Sequence, residues 1–238
     1  MGHSSLTDRL SRMWFPGIDN NAFLISAGSD SVLVDVGPPK GMDLVRRTVG
    51  KAGLRDADVR HVLVTHCHTD HTGNLAAVVG SRAATVYGHA ADAGIVRDGA
   101  ERPRGVANRR LGRIMLRMAK ASSRAEAAPV HVEVADGALI PAAGGIRCVH
   151  TPGHTDGHMS YLWPEGRVLF VGDAATRMFR RLNVAPINEQ DAAARASFAK
   201  LAELDFDLAC FGHGSPIKGR AVARFRGRLD HVAAHATG

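Results

Sequence analysis

The chain has 238 residues, 45% of them hydrophobic, enough to bury the core of one domain. No apolar run approaches the ~18 residues of a membrane-crossing helix, and the polar start Met1-Gly2-His3-Ser4-Ser5 is unlike an export signal. The formal charge of +7 is concentrated: Arg97 to Arg124 holds nine Arg/Lys against two Asp/Glu, and the remainder holds 21 of each sign, so a broadly basic nucleic-acid surface is not expected.

In chain order, strands are predicted at Ala22–Ala27 and Ser31–Val36 around a Gly28-Ser29-Asp30 turn. A helix over Met42–Ala52 stops at Gly53. A strand over Val59–Thr65 precedes a helix over Gly73–Val79 and a strand over Thr85–Tyr87. The second half predicts strands at Val130–Val134, Ile146–Val149, Met159–Trp163, Val168–Val171 and Leu208–Phe211, with helices over Gln190–Leu204 and Arg220–His235. Two strand-rich halves with helices outside imply an α/β fold, a four-layer αβ/βα sandwich occupying residues 1–238 as a single domain.

The Arg-rich insertion around 97–124 interrupts this pattern. Leu111, Ile114, Met115 and Met118 recur at helical spacing among Arg109, Arg110, Arg113, Arg117 and Lys120. A solvated helix covering the domain with its apolar stripe is the first reading. A lid over the active site, or a subunit contact, is the second. Membrane or nucleic-acid binding ranks last, because the charge is confined and lacks interleaved aromatics.

Chemistry concentrates at Thr65-His66-Cys67-His68-Thr69-Asp70-His71. Three imidazoles and a carboxylate in six positions repel and desolvate one another unless a divalent cation, or a pair, binds them. Three later strand ends repeat the device: His154 on a Gly/Pro-rich turn, Asp173 after Val168–Gly172, and His213 after Leu208–Gly212. His61, His89, His131, His150, His231 and His235 have no such context. There is no G-x-S-x-G elbow and no Walker-type phosphate loop.

These motifs, in this order from about Ala22 to His213, resemble the metallo-β-lactamase-fold superfamily. The resemblance implies one metal held by His66, His68 and His154, a second by Asp70, His71 and His213, and Asp173 between them. It implies two divalent ions, Zn²⁺ first with Fe or Mn as alternatives, sharing a bridging hydroxide that attacks a carbonyl. Asp70 would also hold the attacking water and carry its proton. Asp35 matches a family aspartate that supports the ligand loop, although a carboxylate ending a strand before Gly37-Pro38-Pro39 is an equal reading. His158 reads as structural, and Cys67 as a small side chain pointing away from the metals.

A small-molecule substrate carrying an ester, lactone or thioester is expected. Only 25 residues follow His213, against the helical domain of hydroxyacylglutathione hydrolases, and no tyrosine of the lactonase kind lies in 174–212. The alternatives are an iron-dependent persulfide dioxygenase, using His66, His154 and Asp173, and a metal-binding regulatory module without turnover. Cys67, Cys148 and Cys210 are too few and too scattered for a disulfide framework, so a reducing cytoplasm is expected. The oligomeric state stays open, a dimer included.

Overall fold

The structure, a computed structural model, describes residues 1–17, 19–81, 83–100 and 125–234. The insertion readings fall almost wholly on 101–124, outside the described residues.

Seven strands form the first sheet in sequence order: β1 (Gly2–Thr7), β2 (Leu10–Phe15), β3 (Asn20–Ile25), β4 (Ser31–Val34), β5 (Val59–Leu63), β6 (Thr85–His89) and β7 (Val132–Val134). Pairing is antiparallel through β4 and parallel from β4 to β7. The parallel steps need crossovers. These are supplied by α1 (Met42–Lys51), by α2 (Thr69–Thr72) with α3 (Leu75–Ser81), and by a connection beginning with α4 (Ala90–Asp98). As predicted, α1 stops ahead of Gly53, which takes the left-handed φ of 72°.

The second sheet contains β8 (Leu139–Ile140), β9 (Ile146–His150), β10 (Met159–Trp163), β11 (Val168–Gly172), β14 (Leu208–Phe211) and β15 (Ile217–Lys218), in the order β15-β14-β11-β10-β9-β8. Only β11 and β14 pair in parallel. Their crossover contains a separate hairpin, β12 (Ala175–Met178) with β13 (Arg181–Val184), followed by α5 (Asp191–Ala202). The described residues end in α6 (Ala221–Arg226) and α7 (Leu229–Ala234).

Strands of continuous apolar residues divide their side chains between two cores, because alternate residues point to opposite faces. Tyr161, Trp163, Val168, Phe170 and Cys210 face the first sheet, where they meet Phe23, Ile25, Val34 and Leu63. Leu162, Leu169, Val171 and Phe211 face α5, α6 and α7, meeting Phe198, Leu201, Phe225 and Val232. A third core lies under α1, α3 and α4. Three cores separate four layers, the αβ/βα sandwich expected from the sequence.

Several boundaries differ from expectation. β1 and β2 precede the first predicted strand; β1 is a polar edge strand, whereas Met13 and Phe15 of β2 carry the alternation that exposed Trp14 masks. The β12–β13 hairpin is likewise unpredicted, its apolar residues being interrupted by three arginines. The helix expected over 220–235 is divided at Gly227 into α6 and α7. Among the described residues, no helix is long and apolar enough to cross a membrane.

Candidate metal centre

The seven side chains singled out from the sequence arrive on four loops at strand ends, and all are buried. β5 leads through Thr65 to His66 and His68, and the single turn of α2 carries Asp70 and His71. The loop after β9 supplies His154, the end of β11 supplies Asp173, and the end of β14 supplies His213. They assemble as His66/His68/His154, Asp70/His71/His213 and His66/His71/Asp173, with potential ligand atoms inside each set within 4.8 Å of one another. Each set could hold a metal ion.

Three imidazoles have their tautomers fixed from behind. His154 Nδ1 donates to the carbonyl of Ile187 at 2.7 Å, and His71 Nδ1 donates to Asp35 Oδ2 at 2.8 Å. Thr65 Oγ1 donates to Asp35 Oδ2 at 2.8 Å and therefore accepts from His66 Nδ1 at 3.0 Å. In each ring the proton sits on Nδ1, leaving the Nε2 lone pair directed inward, the arrangement that outer hydrogen bonds impose on metal-binding histidines. Among the described residues, His66 Nε2 has no hydrogen-bond partner although it is fully buried. His68 presents Nδ1 to His154 Nε2 at 3.0 Å. A buried lone pair left without a donor, as at His66 Nε2, is unfavourable unless a cation meets it, so these residues fit a metal on their own geometry.

Asp173 joins the sets. Its Oδ2 lies 3.5 Å from His154 Nε2 and 3.3 Å from His213 Nε2, while Oδ1 lies 3.7 Å from His71 Nε2. Asp70 Oδ2 is 3.3 Å from His213 Nε2. Burial disfavours charge on all of these groups, yet the imidazoles hold the Asp173 carboxyl well below its ordinary range. Reciprocally, Asp173 and Asp70 overcome burial and raise His213. Burial and then the neighbouring rings push His66 well down, and burial lowers His154 despite Asp173.

The surrounding residues position this cluster. Asp35, at φ 55°, accepts from the Thr65 amide at 2.9 Å as well as from Thr65 Oγ1 and His71. His158 Nε2 accepts from the Asp173 amide at 2.8 Å, and its Nδ1 therefore donates to Thr151 Oγ1 at 2.8 Å. That role requires a neutral ring, and burial accordingly lowers the His158 pKa to about 3. Gly172, at φ 57°, has no room for a side chain: a Cβ there would lie 2.6 Å from His158 Nε2. Cys67 packs into the core beneath the first sheet's helices.

One participant was missed by sequence reading. Asp92 of α4 is 2% exposed. It accepts from the Cys67 amide (2.9 Å), Thr155 Oγ1 (2.8 Å) and the Gly157 amide (3.1 Å), tying the loop of His66 and His68 to that of His154. Nothing in Ala90-Ala91-Asp92-Ala93 marks this acid as buried; only the docking of α4 does. Of the other histidines, His61 lies 2.9 Å from Asp30 and 3.2 Å from the Tyr87 hydroxyl, and His89 stacks on His150 at 4.2 Å, both outside the cluster.

A two-sheet αβ/βα sandwich with a buried His/Asp centre at its strand ends defines a class of metal-centre proteins. The profile of the metallo-beta-lactamase superfamily matches residues 16–213, and the chain belongs to that superfamily. The hydroxyacylglutathione hydrolase of Anaeromyxobacter dehalogenans is 35% identical over 153 residues, covering 64% of this chain and 45% of that protein. Thioesterase pkgB of Emericella nidulans is 29% identical over 157 residues, covering 64% and 35% respectively. The matched region therefore spans less than half the length of these two relatives. Among solved structures, the Rm3 metallo-beta-lactamase superposes with a TM-score of 0.73 at 20% identity, covering 100% of this chain and 96% of that one. That likeness is one of fold.

Proposed function

We propose that the chain is a cytoplasmic, single-domain dinuclear metallo-hydrolase that cleaves a carbonyl-based bond of a small substrate, a thioester before an ester or lactone. The observation that carries this reading is the inward Nε2 lone pair of His66, His71 and His154, each fixed by a hydrogen bond at Nδ1. His66, His68 and His154 would hold one ion and Asp70, His71 and His213 the other, with Asp173 between them; Zn²⁺ suits this nitrogen- and oxygen-rich set, and Fe or Mn are alternatives. When bound, a divalent pair supplies Lewis acidity and water acidified enough to attack at neutral pH.

The chain's own groups do the rest. Asp70 Oδ2 would orient the attacking water by a hydrogen bond, accept its proton, and return it to the departing thiolate or alkoxide. Asp35 and Ile187 hold the rings of His71 and His154 turned, with the proton on Nδ1, while that proton moves. Thioesters rank first because relatives matched over this region bear the names hydroxyacylglutathione hydrolase and thioesterase. Three buried free cysteines suit a reducing compartment.

Elemental analysis of protein purified without added metal, then an ester, lactone and thioester panel on the same sample, tests the assignment. Two zinc ions per chain and thioester turnover are expected. One iron with oxygen uptake on a persulfide, or bound metal without turnover, would overturn it.

A further inference from the structure

A cavity of about 1130 Å³ lies between the β12–β13 hairpin, α6 and the start of α7. Three of its walls are continuous with loops of the metal centre. Thr176 follows Asp173 by three positions, and Pro186 precedes Ile187, the anchor of His154. Ile217 follows His213 by four, and the Arg177 amide donates to the His213 carbonyl at 3.2 Å. The cavity therefore flanks the centre.

Its lining is strongly cationic. Arg177, Arg180, Arg181, Lys218 and Arg224 face it. The side chains of Arg180, Arg181 and Arg224 make no hydrogen bond or ion pair among the described residues. Asp191, the one carboxylate in the wall among the described residues, is already paired with Arg195 at 2.7 Å. Burial, and then the like charges of Arg180 and Arg224, push the Arg177 guanidinium below its ordinary value. Guanidinium groups gathered without counter-charge repel one another, and a bound anion relieves this. At the hairpin tip, Phe179 also lines the cavity and is 81% exposed, an uncovered aromatic face beside the arginines. Cations for phosphates together with an aromatic face for a base form a recognition set for a phosphorylated nucleotide. The volume slightly exceeds the ~300–1,000 Å³ of ordinary small-ligand sites, which suits a long tail.

We propose that this groove binds the phosphorylated nucleotide tail of the substrate, so that the thioester cleaved at the metal centre is carried on a nucleotide-bearing thiol. The substrate class rests on the hydrolase reading above; the binding of the tail does not.

Two measurements on the zinc-loaded full chain separate them. First, 3′-phosphoadenosine 5′-phosphate, which has no thiol or acyl group, is titrated calorimetrically. Binding is expected, weakened at least tenfold in R180Q/R224Q, several-fold in F179A, and further by added salt. Absence of binding, or binding indifferent to both variants, would overturn the proposal. Second, kcat/KM is compared for acetyl-coenzyme A and S-acetyl-N-acetylcysteamine. The ratio is expected to favour the nucleotide-bearing substrate and to fall at least tenfold in R180Q/R224Q; a ratio equal in wild type and variant would overturn the substrate assignment. Nucleotide binding without thioester turnover would overturn the substrate assignment and leave the tail site standing; absence of ester and lactone turnover as well would refute the hydrolase reading. F179A, altered at one exposed position, keeps the test decisive if the double variant folds poorly.

Discussion

Replacing Asp92 with Asn tests whether a residue outside the seven candidate ligands governs the metal centre. The side chain keeps its volume, so no cavity opens, but it exchanges one acceptor oxygen for an amide donor. The native carboxylate receives at least three donors: Cys67 N and Thr155 Oγ1 on Oδ2, and Gly157 N on Oδ1. With the amide oxygen at the Oδ2 position, Gly157 N faces an NH₂ group; with the amide reversed, Cys67 N does. In either orientation at least one buried amide is orphaned at about 1–3 kcal/mol, and the remaining bonds lose their charge-assisted part. A net destabilisation of about 2–3 kcal/mol follows. Because the two tied loops carry His66, His68 and His154, metal affinity should also drop by about 10- to 100-fold. Urea unfolding of metal-free protein reads the first quantity, and zinc competition against a chromophoric chelator reads the second. An unchanged urea midpoint together with zinc affinity within twofold of wild type would refute the reasoning. Lost stability with unaltered affinity would reduce Asp92 to an ordinary structural acid.

Thr65→Val should leave the fold intact but free the His66 tautomer, lowering zinc affinity by about tenfold in the same competition assay. Gly172→Ala forces a Cβ against His158 Nε2 and Thr65 at a positive φ; thermal or urea melts should show a loss of about 2–4 kcal/mol. Asp173→Asn should give substoichiometric metal by elemental analysis, since it removes charge from the group that spans both sets; two ions bound at the native rate of turnover would contradict this. Asp70→Ala should lose most activity while its circular dichroism spectrum stays native, and near-normal turnover would dismiss its proton-carrying role.

The strands that bear chemistry were legible because burial on both faces writes a continuous apolar run into the sequence. Val168–Val171 and Leu208–Phe211 have that form, and each halts at a glycine and a polar residue. Asp173 and His213 could be named for the same reason, whereas His66, His68, Asp70 and His71 stood out by their crowding in one run and His154 by its Gly/Pro-rich turn. What stayed hidden depends on tertiary docking. β1 is an exposed edge whose polar residues carry no period, and Asp92 resembles a solvent-facing helix residue until α4 packs. Charge behaves likewise. Outside 97–124 the chain is neutral by count, yet folding brings Arg177, Arg180 and Arg181 of one hairpin against Arg224 of a helix more than forty positions later. A count along the chain cannot register that convergence.

The position of the centre follows from how the two sheets join. Besides side-chain packing, backbone hydrogen bonds connect them at this end: Met159 N donates to Thr65 O at 2.7 Å, and Asn21 N donates to Gly212 O at 2.8 Å. The Tyr161 hydroxyl adds a bond to Val64 O at 2.7 Å. Thr65 and Gly212 each stand immediately before a clustered histidine or one residue from it, so the bonds that dock the halves also set where His66 and His213 sit. Neither sheet contains a complete set of candidate ligand atoms. His66, His68, Asp70 and His71 come from the first, and His154, Asp173 and His213 from the second. Docking and site formation are therefore one event, and a cation bridging the two groups would strengthen the inter-sheet seam that creates its own site.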